Sequence, residues 1–247
     1  KITLDFVGDG LISVTVPVYK LSEIRDINGN TLKSLINNTG TLKANGGLIK
    51  LSAATAMNLS RGTVNIGSTG SIIAQSVNSR PGRVIIGSPS TSSVRIAGNI
   101  DVSAPKMSLS PSGTVVVQGK RLIHQGNIYA NGSSGGKVNI LSKESLKLDG
   151  SIFAKGYQSK GGSVIVVSEN AIKTTPKTIV DVSGQLKGGT AQLLAKVKNK
   201  VSGDIFANSS KGKGGKIDIT AEKTEIEKAK ISATGPQMGG KVRVGGD

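Results

Sequence analysis

The chain has 247 residues, no cysteine, one histidine and a formal net charge of +17 at pH 7. Without cysteine it has neither a disulfide framework nor a thiolate metal site, and one histidine gives a multi-histidine metal centre little to build on. No apolar run approaches the roughly 20 residues of a membrane-spanning helix. Aromatic residues make up only 2%, so we expect an aliphatic core of thin layers.

A repeated unit runs through the chain from about residue 31. A small turn residue, usually Gly, precedes an aliphatic position, a free position and then Ala or Val. The aliphatic positions, 24 to 30 residues apart, are Leu42, Ile72, Ile100, Ile128, Ile152, Val180, Ile205 and Ile231. Such self-similarity predicts a stack of equivalent units. The first units are longer and less regular, as expected near a terminal cap, so we predict cap and edge strands over residues 1–30 and a solenoid over residues 31–247.

A second phrase, a glycine pair followed by alternating apolar residues, recurs later in the chain. Its copies, at intervals of 25 to 27 residues, begin at Gly135, Gly161, Gly188, Gly214 and Gly239. Alternation with a period of two predicts a half-buried strand. A third short segment, such as residues 145–149 or 224–227, lies between the two phrases. Each unit is therefore expected to hold about three strands.

Three strands in each unit of roughly 26 residues, stacked parallel on the next unit, predict an all-β fold, a parallel β-helix (solenoid) of roughly eight coils. The aliphatic positions, and the Ala or Val two residues after each, should form inward-facing ladders. We expect Ile152→Asp to destabilise this fold by several kcal/mol, because it buries an unpaired charge. Residues 245–247 interrupt the last unit, so we expect the solenoid to continue beyond residue 247 in the native protein.

Three stretches resemble the haemagglutination-activity domain of filamentous-haemagglutinin-type exoproteins, which belong to bacterial two-partner secretion. They are residues 5–12 (DFVGDGLI), residues 44–54 (ANGGLIKLSAA) and the closing phrase over residues 239–247. The family's secretion domain carries Asn-Pro motifs, whereas this chain has no Asn-Pro dipeptide. We expect those motifs to lie upstream of Lys1.

The resemblance has consequences for fold, export and function. It implies a right-handed β-helix that is exported unfolded by an outer-membrane barrel transporter and then acts at the cell surface. It also implies that the transporter recognises the N-terminal phrase, namely Gly8, Asp9, Gly10, Leu11 and Ile12.

Catalytic chemistry has few candidates in this sequence. His124, the only histidine, is expected to be a turn or surface residue. The 15 acidic residues are scattered over unlike positions of the repeat, and we expect pairs that are close in sequence to lie on solvated faces. Two such pairs are Asp5 with Asp9 and Glu225 with Glu227. The sequence therefore predicts no catalytic residue, no metal site and no cofactor.

Half of the aromatic residues share one position of the repeat. Tyr129, Phe153 and Phe206 occupy the free position between the aliphatic residue and the following Ala, which faces outward, and Asp181 interrupts their row. On adjacent coils, Tyr129 and Phe153 would form an apolar strip of the kind on which sugars stack. The three residues are therefore candidate glycan contacts. A flanking hairpin that covers this face would explain them equally well.

The net charge bears on the class of partner. It is spread along the chain without a dense block, and the aromatic residues that would stack on bases are few, which argues against specific nucleic-acid recognition. A basic rod should bind anionic polysaccharide or another anionic surface in a salt-sensitive way. Alternatively, the lysines only keep the rod soluble and protect its edges.

Together with the resemblance, these features predict a non-enzymatic adhesin region of a two-partner secretion exoprotein. It would be secreted or exposed at the bacterial cell surface. Its partners would be the outer-membrane transporter and an anionic polysaccharide or a glycan of a host surface. The alternative is a carbohydrate-active β-helix enzyme, either a polysaccharide lyase or a hydrolase, which would need acidic residues that converge on one face.

Overall fold

The computed structural model describes residues 34–53, 64–88, 93–106 and 110–246, and the backbone of residues 11–16. Its strands form two hydrogen-bonded sheets, of 15 and 8 strands, and neighbouring strands run parallel throughout both. The larger sheet forms two sides of each coil and the smaller sheet forms the third. The predicted cap over residues 1–30 lies outside the described residues, apart from one strand at the end of the larger sheet.

The first side of the coil begins at the glycine-pair phrase or at its equivalent in the earlier units. With strands numbered in chain order, this side consists of β1 (Leu11–Val16), β4 (Leu48–Ala53), β7 (Arg83–Gly87), β10 (Thr114–His124), β12 (Lys137–Leu148), β14 (Ser163–Ser168), β17 (Thr190–Ala195), β20 (Lys216–Thr220) and β23 (Lys241–Val244).

The second side is made of the short segments that follow, and it includes the C-terminal halves of β10 and β12. Its other strands are β2 (Ile36–Asn38), β5 (Val64–Ile66), β8 (Ser93–Ile96), β15 (Ala171–Thr174), β18 (Lys198–Val201) and β21 (Lys223–Ile226).

The third side carries the aliphatic-x-Ala phrase. Its strands are β3 (Thr41–Lys43), β6 (Ser71–Ile73), β9 (Asn99–Asp101), β11 (Asn127–Tyr129), β13 (Ser151–Phe153), β16 (Ile179–Asp181), β19 (Asp204–Phe206) and β22 (Ile231–Ser232). These eight copies are separated by about seven turns of the chain. The predicted all-β parallel solenoid with three strands per coil is therefore confirmed.

The core consists of aliphatic ladders that run along the solenoid. On the third side, the six inner copies of the aliphatic position, from Ile72 to Ile205, are at most 1% exposed. Leu42 and Ile231, on the outermost described copies, are only partly buried. In the row two residues further on, the inner copies, which include Ala74, Ala154 and Ala207, are fully buried as predicted, whereas Ala44 and Ala233 on the outermost copies are only partly buried. Each coil thus covers the apolar face of its neighbour, which is how a chain with so few aromatic residues builds a continuous core.

The glycine pairs form the corner between the third side and the first. A Cβ atom at Gly161 would lie 1.8 Å from the carbonyl oxygen of Val182 on the next coil, and one at Gly162 would lie 2.2 Å from that of Gly136. The backbones of adjacent coils therefore approach so closely that no side chain fits between them. Gly82 and Gly113 occupy this corner in the earlier units, where the amide of Thr114 donates to the carbonyl of Gly82 at 3.0 Å.

At the corner between the first and second sides, β10 and β12 continue without a break. The pairing register between these two strands shifts between Gly119 and Arg121 of β10, as in a β-bulge. The hydroxyl oxygen of Ser142 lies 2.7 Å from the carbonyl oxygen of Lys120 and 2.8 Å from that of Ser145, so its one proton can be donated to either. A side chain thereby satisfies a carbonyl group at the bend, where ladder pairing is interrupted.

Candidate functional site

The outward position of the third side forms a single row along the solenoid, which we call the aromatic row. Strand register brings the following residues together on successive coils: Lys43, Ile73, Asp101, Tyr129, Phe153, Asp181, Phe206 and Ser232. The row forms because side chains alternate between the two faces of a strand, so the residue after each buried aliphatic position must point outward.

Tyr129 and Phe153 lie on adjacent coils and stack on one another. Their ring centroids are 5.5 Å apart and their planes are inclined by 11°, which is the offset-stacked geometry that aromatic pairs favour. Both side chains are partly exposed. Because each ring covers one face of the other, the apolar surface open to a ligand consists of the remaining faces and the ring edges.

Two aspartates flank this pair along the row, and both are held by hydrogen bonds. The side-chain amide of Gln75 donates to Asp101 at 2.6 Å, and the ammonium group of Lys155 lies 2.9 Å from the carboxylate of Asp181. Each aspartate also accepts a hydrogen bond at 2.9 Å from the backbone amide two residues later. Asp101 and Asp181 are three coils, or about 14 Å, apart, whereas paired carboxylates of glycosidases lie roughly 5 to 9.5 Å apart.

A depression of about 310 Å³ adjoins the row where the third side turns towards the glycine pairs. We call it the polar depression. Its lining side chains belong to three consecutive coils and include Lys155, Tyr157, Ser183, Gln185, Asn208 and Ser209. Its volume is at the lower end of the ~300–1,000 Å³ that is usual for small-molecule sites, so one or two sugar rings would fill it.

Some polar groups of the polar depression form hydrogen bonds within the solenoid, and others are available to bind a ligand. The side-chain oxygen of Asn208 accepts hydrogen bonds from both the hydroxyl of Ser232 and the backbone amide of Thr234, each at 2.8 Å. Within the described part of the chain, the Gln185 side-chain amide and the Tyr157 hydroxyl have no hydrogen-bond partner. These two groups can bind the hydroxyl groups of a ligand without breaking a contact of the fold.

Phe206, the third predicted aromatic contact, is separated from the stacked pair by Asp181, as its place in the sequence indicates. The ammonium group of Lys230 lies 5.9 Å from its ring centroid. Lys106 makes a similar cation–π contact with Tyr157, at 5.0 Å. Two aromatic rings on this side of the molecule, outside the stacked pair, thus each contact one lysine.

Several acidic residues away from this side form ion pairs with lysines. Glu225 lies 3.0 Å from Lys198 and Glu227 lies 2.8 Å from Lys200, and the two glutamate side chains are 28% and 55% exposed, so both face solvent as expected. The hydrogen bond from Lys198 lowers the pKa of Glu225. Asp5 and Asp9 lie outside the described residues. Among residues that are described, no three His, Cys, Asp or Glu side chains cluster as metal ligands would.

His124 is not a turn or surface residue, so that prediction was wrong. It is the last residue of β10, its side chain points into the core, and it is fully buried. Side chains alternate between inward and outward along the second side, which explains this position, since Leu122 also points inward and His124 follows it by two residues.

The residues implied in transporter recognition are only partly described. Leu11 and Ile12 begin β1, whose backbone pairs with that of Leu48 and Ile49 in β4. Gly8, Asp9 and Gly10 lie outside the described residues, so transporter recognition remains a prediction.

Sequence reasoning identified the aromatic row but missed the polar depression. The depression is built from turn residues of three units, and its lining varies from unit to unit, as Tyr157, Gln185 and Ser210 occupy comparable turns. Aligning the turns that precede each glycine pair would have shown that they lie side by side. Their shape depends on the backbone path of each turn, which the repeat alone does not give.

Comparison of the chain with protein-family models, curated protein sequences and solved structures finds no match. The described residues contain no helix with the length and hydropathy needed to cross a membrane. The fold and the surface geometry therefore define the class of the molecule, a parallel β-solenoid with an aromatic row and a polar depression on its third side.

Proposed function

We propose that this chain is an attachment region of a secreted or surface-exposed exoprotein of the two-partner secretion type, which binds a surface glycan through its third side. The observation that carries the proposal is the stacked Tyr129–Phe153 pair next to the polar depression. The resemblance of the N-terminal phrase supports the secretion class. In this account an outer-membrane barrel transporter exports the chain, and the stacked coils then present the binding surface.

The chemistry of the third side suits a saccharide. A sugar ring has apolar C–H faces that pack on aromatic groups, and it has hydroxyl groups that need donors and acceptors around its rim. Tyr129 and Phe153 supply the apolar surface, while Lys155, Gln185 and Tyr157 supply polar contacts within the adjoining depression. A small number of placed polar groups beside an apolar surface is the general pattern of ligand sites. The proposal includes no catalytic step.

The proposal is tested by measuring binding of the whole chain to an array of immobilised glycans. Tyr129→Ala combined with Phe153→Ala should lower binding to the best glycan at least tenfold, because both apolar contacts are lost, about 1 to 3 kcal/mol per ring. The matched control is Ile123→Ala with Leu141→Ala, which truncates two exposed apolar residues elsewhere on the solenoid. It should leave binding unchanged.

Three results would contradict the proposal. They are the absence of any glycan ligand, equal losses in the two double variants, and cleavage of the bound glycan. The last result would instead favour the carbohydrate-active enzyme. The secretion class has its own test, since a gene for an outer-membrane barrel transporter next to the gene for this chain would support it, and export in the absence of such a transporter would oppose it.

A further inference from the structure

A second surface, distinct from the aromatic row, lies at the glycine-pair corner. Lys160, Lys187 and Lys213 each directly precede a glycine pair. Isolated parallel bridges join Lys160 to Lys187 and Lys187 to Lys213. The three lysines therefore occupy the same position on three consecutive coils, and all three are exposed.

A second row runs parallel to the first, on the other side of the glycine pairs. Strand register aligns the residues that directly follow each pair, which are Lys137, Ser163, Thr190, Lys216 and Lys241. Between the two rows lies a depression of about 240 Å³, lined by lysines, hydroxyl groups and bare glycine backbone. We call the two rows and the glycine floor between them the lysine groove. It carries six lysines over five coils and no carboxylate in either row.

The cations of the lysine groove are largely unneutralised. In the described part of the molecule, only Lys216 of these six lysines forms an ion pair, at 2.6 Å from Asp218. Lys155 and Lys198, by contrast, each lie beside a carboxylate, that of Asp181 and that of Glu225 respectively. Like charges on adjacent coils, about 4.8 Å apart, repel one another. A bound polyanion would relieve this repulsion.

The backbone amides and the missing side chains of the glycine floor limit how a ligand can bind there. The amide groups of Gly162 and Gly189 already donate to the carbonyl oxygens of Ala154 and Val182, both at 2.7 Å. The floor is therefore not a nest of free backbone donors of the kind that binds a single phosphate. Because the glycines carry no side chains, a linear chain can lie directly along the floor, with lysines and hydroxyl groups on both sides.

We propose that the lysine groove binds a linear sulphated or carboxylated polysaccharide that runs along the solenoid axis. Its lysines repeat every coil and span about 19 Å over four intervals, which suits a polymer with regularly spaced charges better than one small anion. None of the residues lining the groove is aromatic, so it lacks the stacking platform typical of single-stranded nucleic-acid sites. The inference extends the proposed attachment function to a second ligand class, but the site itself depends only on the lysines.

The test is a binding titration of the whole chain against dextran sulphate, with unsulphated dextran as the ligand control. Lys160→Gln, Lys187→Gln and Lys213→Gln are combined in one variant. The matched control combines Lys147→Gln, Lys173→Gln and Lys200→Gln, which removes the same charge from one row on the second side. Circular dichroism establishes that both variants are folded.

The groove variant should lose roughly tenfold or more in affinity at low salt. Its slope of log K against log salt should become shallower by about two to three units, since about three counterion-releasing contacts are gone. The control variant should lose much less, and unsulphated dextran should not bind. Equal losses in the two variants would overturn the proposal, because binding would then follow net charge alone.

A single-stranded oligonucleotide of matched charge is the competitor that distinguishes the two classes of polyanion. If the oligonucleotide binds more tightly than dextran sulphate, and only the groove variant weakens it, the groove is a nucleic-acid site and the proposal is wrong. The Tyr129→Ala and Phe153→Ala variant should bind dextran sulphate normally. Failure of the glycan proposal would therefore leave this one standing, and the reverse also holds.

Discussion

His124 lies inside the solenoid between Ile96 and Leu148 of the neighbouring coils. Neither ring nitrogen has a hydrogen-bond partner among the described residues. Burial disfavours the charged imidazolium and lowers the pKa of His124 from its ordinary value of 6.5 to about 4. A neutral but unpaired polar ring in an aliphatic ladder reduces stability, because the ring loses its hydrogen bonds to water on folding.

The buried histidine predicts how stability depends on pH. The unfolded chain binds a proton near pH 6.5, whereas the folded chain binds it only near pH 4. The stability that depends on His124 being neutral is therefore fully present above pH 6.5. It is lost as the pH falls from 6.5 to 4, and the free energy of unfolding decreases by roughly 3 kcal/mol in all. Denaturant unfolding followed by circular dichroism across this range measures the loss.

His124→Leu should remove that pH dependence and raise the free energy of unfolding at pH 7 by about 1 to 3 kcal/mol, because leucine continues the ladder without a polar group. A variant that loses stability between pH 6.5 and 4 as steeply as the parent chain would contradict the assignment.

The interior position could have been predicted, since residues 122–124 align with residues 146–148, where both leucines point inward. The polar ring of a lone histidine favours a surface position, and this preference is why the prediction was wrong.

The glycine-pair corner shows that packing between coils, and not the turn itself, demands glycine. Gly161 and Gly239 begin the same phrase, but an added Cβ at Gly161 would meet the Val182 carbonyl at 1.8 Å, whereas one at Gly239 has no atom within 4 Å. Gly161→Ala should therefore destabilise the fold by roughly 1 to 3 kcal/mol or more through overpacking, and Gly239→Ala should cost less than about 0.5 kcal/mol.

Thermal unfolding of the two alanine variants measures this difference. Equal shifts in the melting temperature would mean that the backbone conformation of the phrase requires glycine, and the close approach of adjacent coils would then not be the cause. The comparison is direct because the two positions share their sequence context, a glycine pair followed by an alternating strand.

The strands differ in how far they could be predicted from the sequence. Strands β11 and β13 were predictable because the buried Ile128 and Ile152 recur in one phase and each strand begins directly after a glycine. The unbroken course of β12 was not, because its corner near Ser142 has no glycine or proline and depends on hydrogen bonding of the Ser142 side chain to the bend. One acceptor, the carbonyl group of Lys120, lies on the adjacent coil, and such a contact leaves no periodic signal.

The solenoid as a whole distributes its charge unevenly around its axis. On the second side, Lys147, Lys198 and Lys200 lie within 4 Å of carboxylates. At the glycine-pair corner, Lys160 and Lys187 form no ion pair within the described structure. The total of +17 was evident from composition, but this separation was not, because it depends on which residues share a face once the coils are stacked.

The two candidate surfaces should differ in their response to salt. Contacts made by the Tyr129–Phe153 pair and the polar depression involve little net charge, so they should persist when salt is raised. Contacts made by the lysine groove should weaken steeply, because raised salt reduces the gain from counterion release. One molecule would then show a salt-resistant and a salt-sensitive component of attachment to a surface that carries both kinds of glycan.

The most direct test of the account measures attachment of the labelled chain to glycan-bearing cells as a function of salt, using four forms. These are the parent chain, the Tyr129→Ala and Phe153→Ala double variant, the Lys160→Gln, Lys187→Gln and Lys213→Gln triple variant, and all five changes combined. We expect the double variant to lose the salt-resistant component, the triple variant to lose the salt-sensitive one, and the combined variant to lose both. Attachment of the combined variant at the level of the parent chain would contradict the account.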